Sequence, residues 1–183
     1  SWTSFDITDL AGSWLAGQLP NHGLLIRVSS GGGTINYFSS DNSDAVRRPK
    51  LTIEYLLPCG VTGPQDPVSG TMTLKAVADG FDDSGATSAN NGAATSLKVY
   101  NSPKRENRVL MRFDTSSVPA GAVVLSATLR MYVSGASSST GNPKSLWTNA
   151  VNEAWVEGSG NSANKSCPTA TAGSSWNYSN DCT

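Results

Sequence analysis

The sequence predicts an all-β protein, a jelly-roll-like β-sandwich with one or two short helical turns. Apolar residues alternate with polar ones or gather in short runs, the pattern of strands rather than helices. Clusters of Gly, Pro, Asn and Ser separate the runs. Many short strands joined by long polar connections favour a sandwich.

In chain order, the first strand is expected at residues 4–7, around Phe5 and Ile7. Thr8 or Asp9 then caps a short helix running to Leu15, with Leu10 and Trp14 four apart on one face and Gly17 as its stop. Strands follow at 23–29, carrying Leu24 and Ile26, and at 34–39 and 50–56. The segment from Pro58 to Gly70 holds three Pro and three Gly and no strand pattern. It reads as a linker over 58–71. Beyond it, strands are expected at 72–77, 96–101, 105–113, 123–133 and 145–150, and a second helical turn near Trp155. Val109, Met111 and Phe113 give one of these strands its apolar face; Leu125, Leu129, Met131 and Val133 give another.

Composition narrows the function. Charged residues make up 15% of the 183, the formal net charge is −1, and Lys and Arg form no patch, so nucleic acid is not expected as a partner. No apolar stretch is long enough for a membrane-spanning helix, so no membrane insertion is expected. The Ser start without a leader reads as a processed or excised chain. Abundant Gly, Ser, Thr and Asn, with sequons at Asn164 and Asn177, fit an extracellular or cell-surface location. The cysteines are Cys59, Cys167 and Cys182. A Cys167–Cys182 bridge is expected across a polar loop, leaving Cys59 free or bonded to another chain; three reduced thiols are the alternative.

The stretch Glu106–Asp114, ENRVLMRFD, resembles the motif of the DNRLRE-type extracellular β-sandwich domains. Ala78-Asp79 and Asn91-Gly92 before it, and SVPAGAVVLSATLRMYV (117–133), NEAWVEGSG (152–160) and SSWNY (174–178) after it, keep the order of the front part of such a domain. SFDITDLAGSWLAG (4–17), NHGLLIR (21–27) and YFSSDNSDAVRRPKLTIEY (37–55) resemble its back part. The resemblance therefore implies the C-terminal half of a sandwich at 1–57 and an N-terminal half at 72–183, in reversed order.

Each half carries its own apolar set. Trp2, Phe5, Ile7, Leu10, Trp14, Leu24 and Ile26 lie in the first; Val109, Met111, Phe113, Leu129 and Met131 lie in the second. These residues are expected to form a core or assembly interface. Three arrangements would complete it: the halves meet within one chain, they are exchanged between chains, or the sequence is a slice of a tandem array. Head-to-tail exchange between copies of the chain would give an extracellular filament or adhesive stalk, assembled in the manner of donor-strand complementation. That non-enzymatic structural role is the leading expectation. The alternative is a carbohydrate-binding module for an alginate-type polysaccharide in a larger secreted protein, with Trp155, Trp176 and Tyr178 stacking on sugar rings and Trp147 as a further exposed aromatic.

Catalysis is not expected. His22 is the sole histidine and no GxSxG elbow is present. The carboxylates, Asp41 and Glu157 among them, are scattered and read as surface or turn groups. No cofactor is expected beyond calcium, for which Asp79, Asp82 and Asp83, with Asn90, offer hard oxygen ligands in a Gly-containing segment. Arg108 and Arg112 are expected on a solvated strand face or paired with Glu106 or Asp114.

Overall fold

Every strand from residues 1–57 finds its partners beyond residue 67. The computed structural model describes residues 1–30, 32–57, 68–137, 145–161 and 173–176. The elements are β1 (Trp2–Asp6), α1 (Thr8–Leu15), β2 (Leu24–Ser30), β3 (Gly33–Phe38), β4 (Lys50–Leu57), β5 (Val68–Asp83), β6 (Ser96–Ser102), β7 (Arg105–Phe113), β8 (Val123–Ser137) and β9 (Ser145–Ala150). All nine expected strands are present, and the pairings are antiparallel throughout.

β1 pairs β8; β2 pairs β7 and β9; β3 pairs β6 and β8; β4 pairs β5 and β8. Among the described residues, no two of β1–β4 pair with each other. The long strands β5 and β8 tie the layers together. Residues 68–75 of β5 join β4 in one layer, and residues 76–83 join β7 in the other. β8 likewise serves β1 and β4 first and β3 afterwards.

Bulges mark where alternation breaks. Tyr55 pairs with Val124 and Glu54 with Ser126, so Leu125 is skipped in the ladder. Its side chain turns to solvent, 53% exposed, while Val124 packs against the core. Leu125 is thus not a core residue, contrary to simple alternation. Val77 is skipped in the same way between Ala76 and Ala78 and is also 53% exposed.

The core draws on both segments. Phe5, Ile7, Trp14, Leu24 and Ile26 pack with Val109, Met111, Phe113, Leu129 and Met131, all buried, and Leu10 is half-buried against them. Each such side chain contributes about 1.5–3 kcal/mol by leaving water. Trp2 differs: it is half-buried, edge-on to Tyr132 with ring centroids 5.3 Å apart, and the Arg130 guanidinium lies 4.9 Å from its ring. It closes the rim of the core.

α1 starts one residue earlier than a Thr8 cap would place it and two earlier than an Asp9 cap would. Ile7 holds the N-cap position, and the Asp6 carboxylate accepts from the Thr8 N–H at 3.0 Å and the Thr8 hydroxyl at 2.6 Å. The freed Thr8 Oγ1 accepts from the Ala127 N–H at 3.0 Å, fastening the helix to β8. Gly17, at φ 68°, ends it as expected. No helical turn forms near Trp155; residues 151–157 are irregular. The Pro/Gly segment also ends earlier than expected, since β5 begins at Val68; residues 58–67 and Cys59 lie outside the described residues.

Within this chain, the strands of residues 1–57 complete the sandwich with those beyond residue 67. Head-to-tail exchange was attractive because each half alone would leave an apolar face wet. Here each half covers the other, and that motive for a filament is gone.

Candidate functional site

The outer face of β5 and β7 is covered by the segments 151–161 and 173–176. The covering begins with Trp155, which is buried against Ala78 and Leu110 and donates its indole N–H to the His22 carbonyl at 2.7 Å. Behind it, Ser174 donates its N–H to the Val156 carbonyl at 2.6 Å.

Asn90, in the connection between β5 and β6, fastens this cover. Its amide donates to the Glu157 carbonyl at 2.7 Å and the Ser174 carbonyl at 2.9 Å, and accepts from Gly160 N–H at 2.7 Å and Gly92 N–H at 3.3 Å. Both amide protons and both lone pairs are used, as a buried amide requires. Gly92 lets the cover come close: a Cβ there would stand 2.1 Å from the Glu157 carbonyl oxygen.

Between cover and sheet lies a cleft of about 380 Å³, lined by Asp82, Arg108, Asn152, Glu153, Trp155 and Trp176 among others. Asp82 and Arg108 face each other across the β5–β7 ladder. The Arg108 guanidinium lies 3.7 Å from the centre of the half-buried Trp176 ring, a close cation–π stack. Arg112, four residues on, lies 5.7 Å from the Trp155 ring. Both arginines therefore face the covering aromatics rather than pairing with Glu106 or Asp114. Asp82 Oδ1, Arg108 Nε and Ser175 Oγ are buried without a hydrogen-bond partner and converge on this cleft. Burial pushes the Asp82 carboxyl up to about 6, against the opposing pull of Arg108.

The three aspartates expected to share a calcium do not converge. Asp83 forms an ion pair with Arg105, accepting from Arg105 Nε at 2.7 Å, and the pairing holds its carboxyl below the usual carboxylate range despite the cost of burial. Asp82 belongs to the cleft. Asp79, fully buried, accepts from the Ser40 N–H through Oδ2 at 2.7 Å and meets Asp41 and Glu157 instead. Burial first, and the neighbouring Glu157 and Asp41 charges after it, push the Asp79 carboxyl up to about 7.

Of the aromatics expected to stack on sugar, Trp155 is 3% exposed and serves as a wall. Trp176 reaches the cleft, and Tyr178 lies outside the described residues, as do Cys167, Cys182 and both sequons. Trp147, 52% exposed on β9 under Arg27, is an open aromatic away from the cleft. Ser174 and Ser175 stand in the SSWNY stretch, but nothing in the sequence marks them as lining a cleft.

The model of carbohydrate-binding module family 96 matches residues 70–180, more than half of the chain. The chain belongs to this family. Comparison with curated proteins and with solved structures returns no match. The match covers β5–β9, Asn90, the cleft residues and Glu157. A carbohydrate-binding module holds a glycan without transforming it, in keeping with the lack of an expected catalytic constellation. The four strands before residue 58 lie outside the match, yet they pair with strands inside it. The matched description does not speak to the DNRLRE-type likeness of residues 106–114.

Proposed function

We propose that the chain is the carbohydrate-binding module of a larger secreted protein and that it takes an alginate-type polysaccharide in the cleft beside Trp176. The observation that carries this reading is a family-96 match over a segment holding a cleft with an aromatic ring, a cation and unpartnered polar groups. Sugar rings present an apolar face to an aromatic and hydroxyls at their edges. Trp176 supplies the former; Asp82, Asn152, Glu153 and Ser175 supply partners for the latter. Arg108 is the cation in the cleft and favours a uronate carboxylate over a neutral sugar. The half-domain order, back part first, is part of the same proposal: residues 1–57 and 68–176 act as one permuted binding domain.

The test is affinity electrophoresis and calorimetry with alginate, a neutral β-glucan and xylan. Alginate is expected to bind; Trp176→Ala should weaken binding about tenfold or more, roughly 1.4 kcal/mol, while Trp147→Ala leaves it unchanged. Equal loss in both variants, or binding to none of the glycans, overturns the reading. Binding to neutral glycans alone overturns the alginate assignment.

A further inference from the structure

Three carboxylates from distant parts of the chain meet beside the cleft cover. Asp41 lies in the β3–β4 connection, Asp79 in the second half of β5, and Glu157 in the cover. One carboxylate oxygen from each lies within 4.8 Å of the other two. Two oxygens on opposite sides of a calcium ion, each about 2.4 Å from it, are about 4.8 Å apart. The three oxygens therefore lie close enough together to share one calcium ion.

Each carboxylate is already aimed. Ser40 N–H holds Asp79 through Oδ2, leaving Oδ1 fully buried with no hydrogen-bond partner. Asp79 N–H donates to Glu157 Oε1 at 2.7 Å, so one carboxylate oxygen of Glu157 is fixed by the backbone that bears the next ligand. Asp41 donates its own N–H to Ser39 Oγ at 3.2 Å, which fixes the turn that brings its side chain in. A buried, unpartnered carboxylate oxygen facing two further carboxylates is costly unless a cation meets it. The Arg112 charge acts on Glu157, but one guanidinium does not balance three carboxylates.

We propose that Asp41, Asp79 and Glu157 form a calcium site that clamps the β3–β4 connection and the cleft cover to β5. The ion would complete its shell with water, since calcium accepts six to eight oxygens in flexible geometry. The site is distinct from the Asp79–Asp82–Asp83 set read from the sequence; it retains Asp79 alone. It would join residues 1–57 to the rest of the sandwich through a bond that neither segment makes alone.

The experiment is calcium titration of the chelator-treated chain by calorimetry, with thermal melts in parallel and magnesium as the comparison ion. One calcium per chain is expected, with a melting temperature raised by about 5–10 °C at a hundredfold excess over Kd. Asp41→Asn, a change at an exposed position, should weaken calcium binding about tenfold or more while leaving the calcium-free melt nearly unchanged. Asp79→Asn should abolish binding, and Asp82→Asn should leave it intact. No heat and no thermal shift in the parent chain, or the same affinity in Asp41→Asn and the parent, overturns the proposal.

Discussion

Replacing Asp82 by Asn should convert a pH-sensitive protein into a less sensitive one. The Asp82 carboxyl is almost fully buried, Oδ1 has no hydrogen-bond partner, and Arg108 only partly offsets the cost of charging it. Its displacement from the ordinary 3.8 to about 6 corresponds to about 3 kcal/mol. Because the folded chain holds this proton more tightly than the unfolded chain, the stabilising contribution is complete below pH 3.8 and is lost as pH climbs through about 6. Asn cannot ionise, so Asp82→Asn should equal the parent in stability near the acid end. It should then exceed it by up to about 3 kcal/mol once Asp82 is charged. Asp79 shifts in the same direction but is present in both proteins and cancels in the comparison. Urea unfolding of both proteins, from about pH 4 to about pH 8, measures the gap directly. A gap that stays flat, or that narrows with rising pH, would refute the account of Asp82 as a desolvated carboxyl.

Asn90→Ala strips three hydrogen bonds to the cover and one to Gly92, and should cost about 2–4 kcal/mol in chemical denaturation. Gly92→Ala forces the Glu157 carbonyl away and should weaken glycan binding more than it lowers the melting temperature, read by calorimetry and melts on the same sample. Phe113→Ala opens the middle of the core and should cost about 3–5 kcal/mol by urea titration. Trp155→Ala should lose stability first, with a lower melting temperature even without glycan, because its ring is packed under the cover.

Strand positions were legible because they depend on local alternation. Each strand expected from the sequence is present, and the helix between β1 and β2 lies within two residues of its expected start. The failures share a cause. Residues 78–83 read as a loop because Asp and Gly rarely occupy strands, yet β5 continues through them as the partner of β7. Leu125 obeyed the alternation until a bulge displaced it. The site was less legible. Asn91-Gly92 and the NEAWVEG stretch stood out as motifs, but which groups Glu157 and Asp41 would meet depends on contacts across 78 and 38 residues from Asp79. Trp155 and Trp176 look alike in sequence; only packing makes one a buried wall and the other a half-buried ring lining the cleft.

Because no two of β1–β4 pair with each other among the described residues, residues 1–57 cannot acquire lasting sheet structure on a ribosome before β5 and the later strands are made. Trp2 must wait for Tyr132, a delay on the order of 4–15 s after residue 57 at ordinary elongation speeds. Throughout that interval a nascent stretch rich in Leu, Ile and Trp stays open to chaperones and to neighbouring chains.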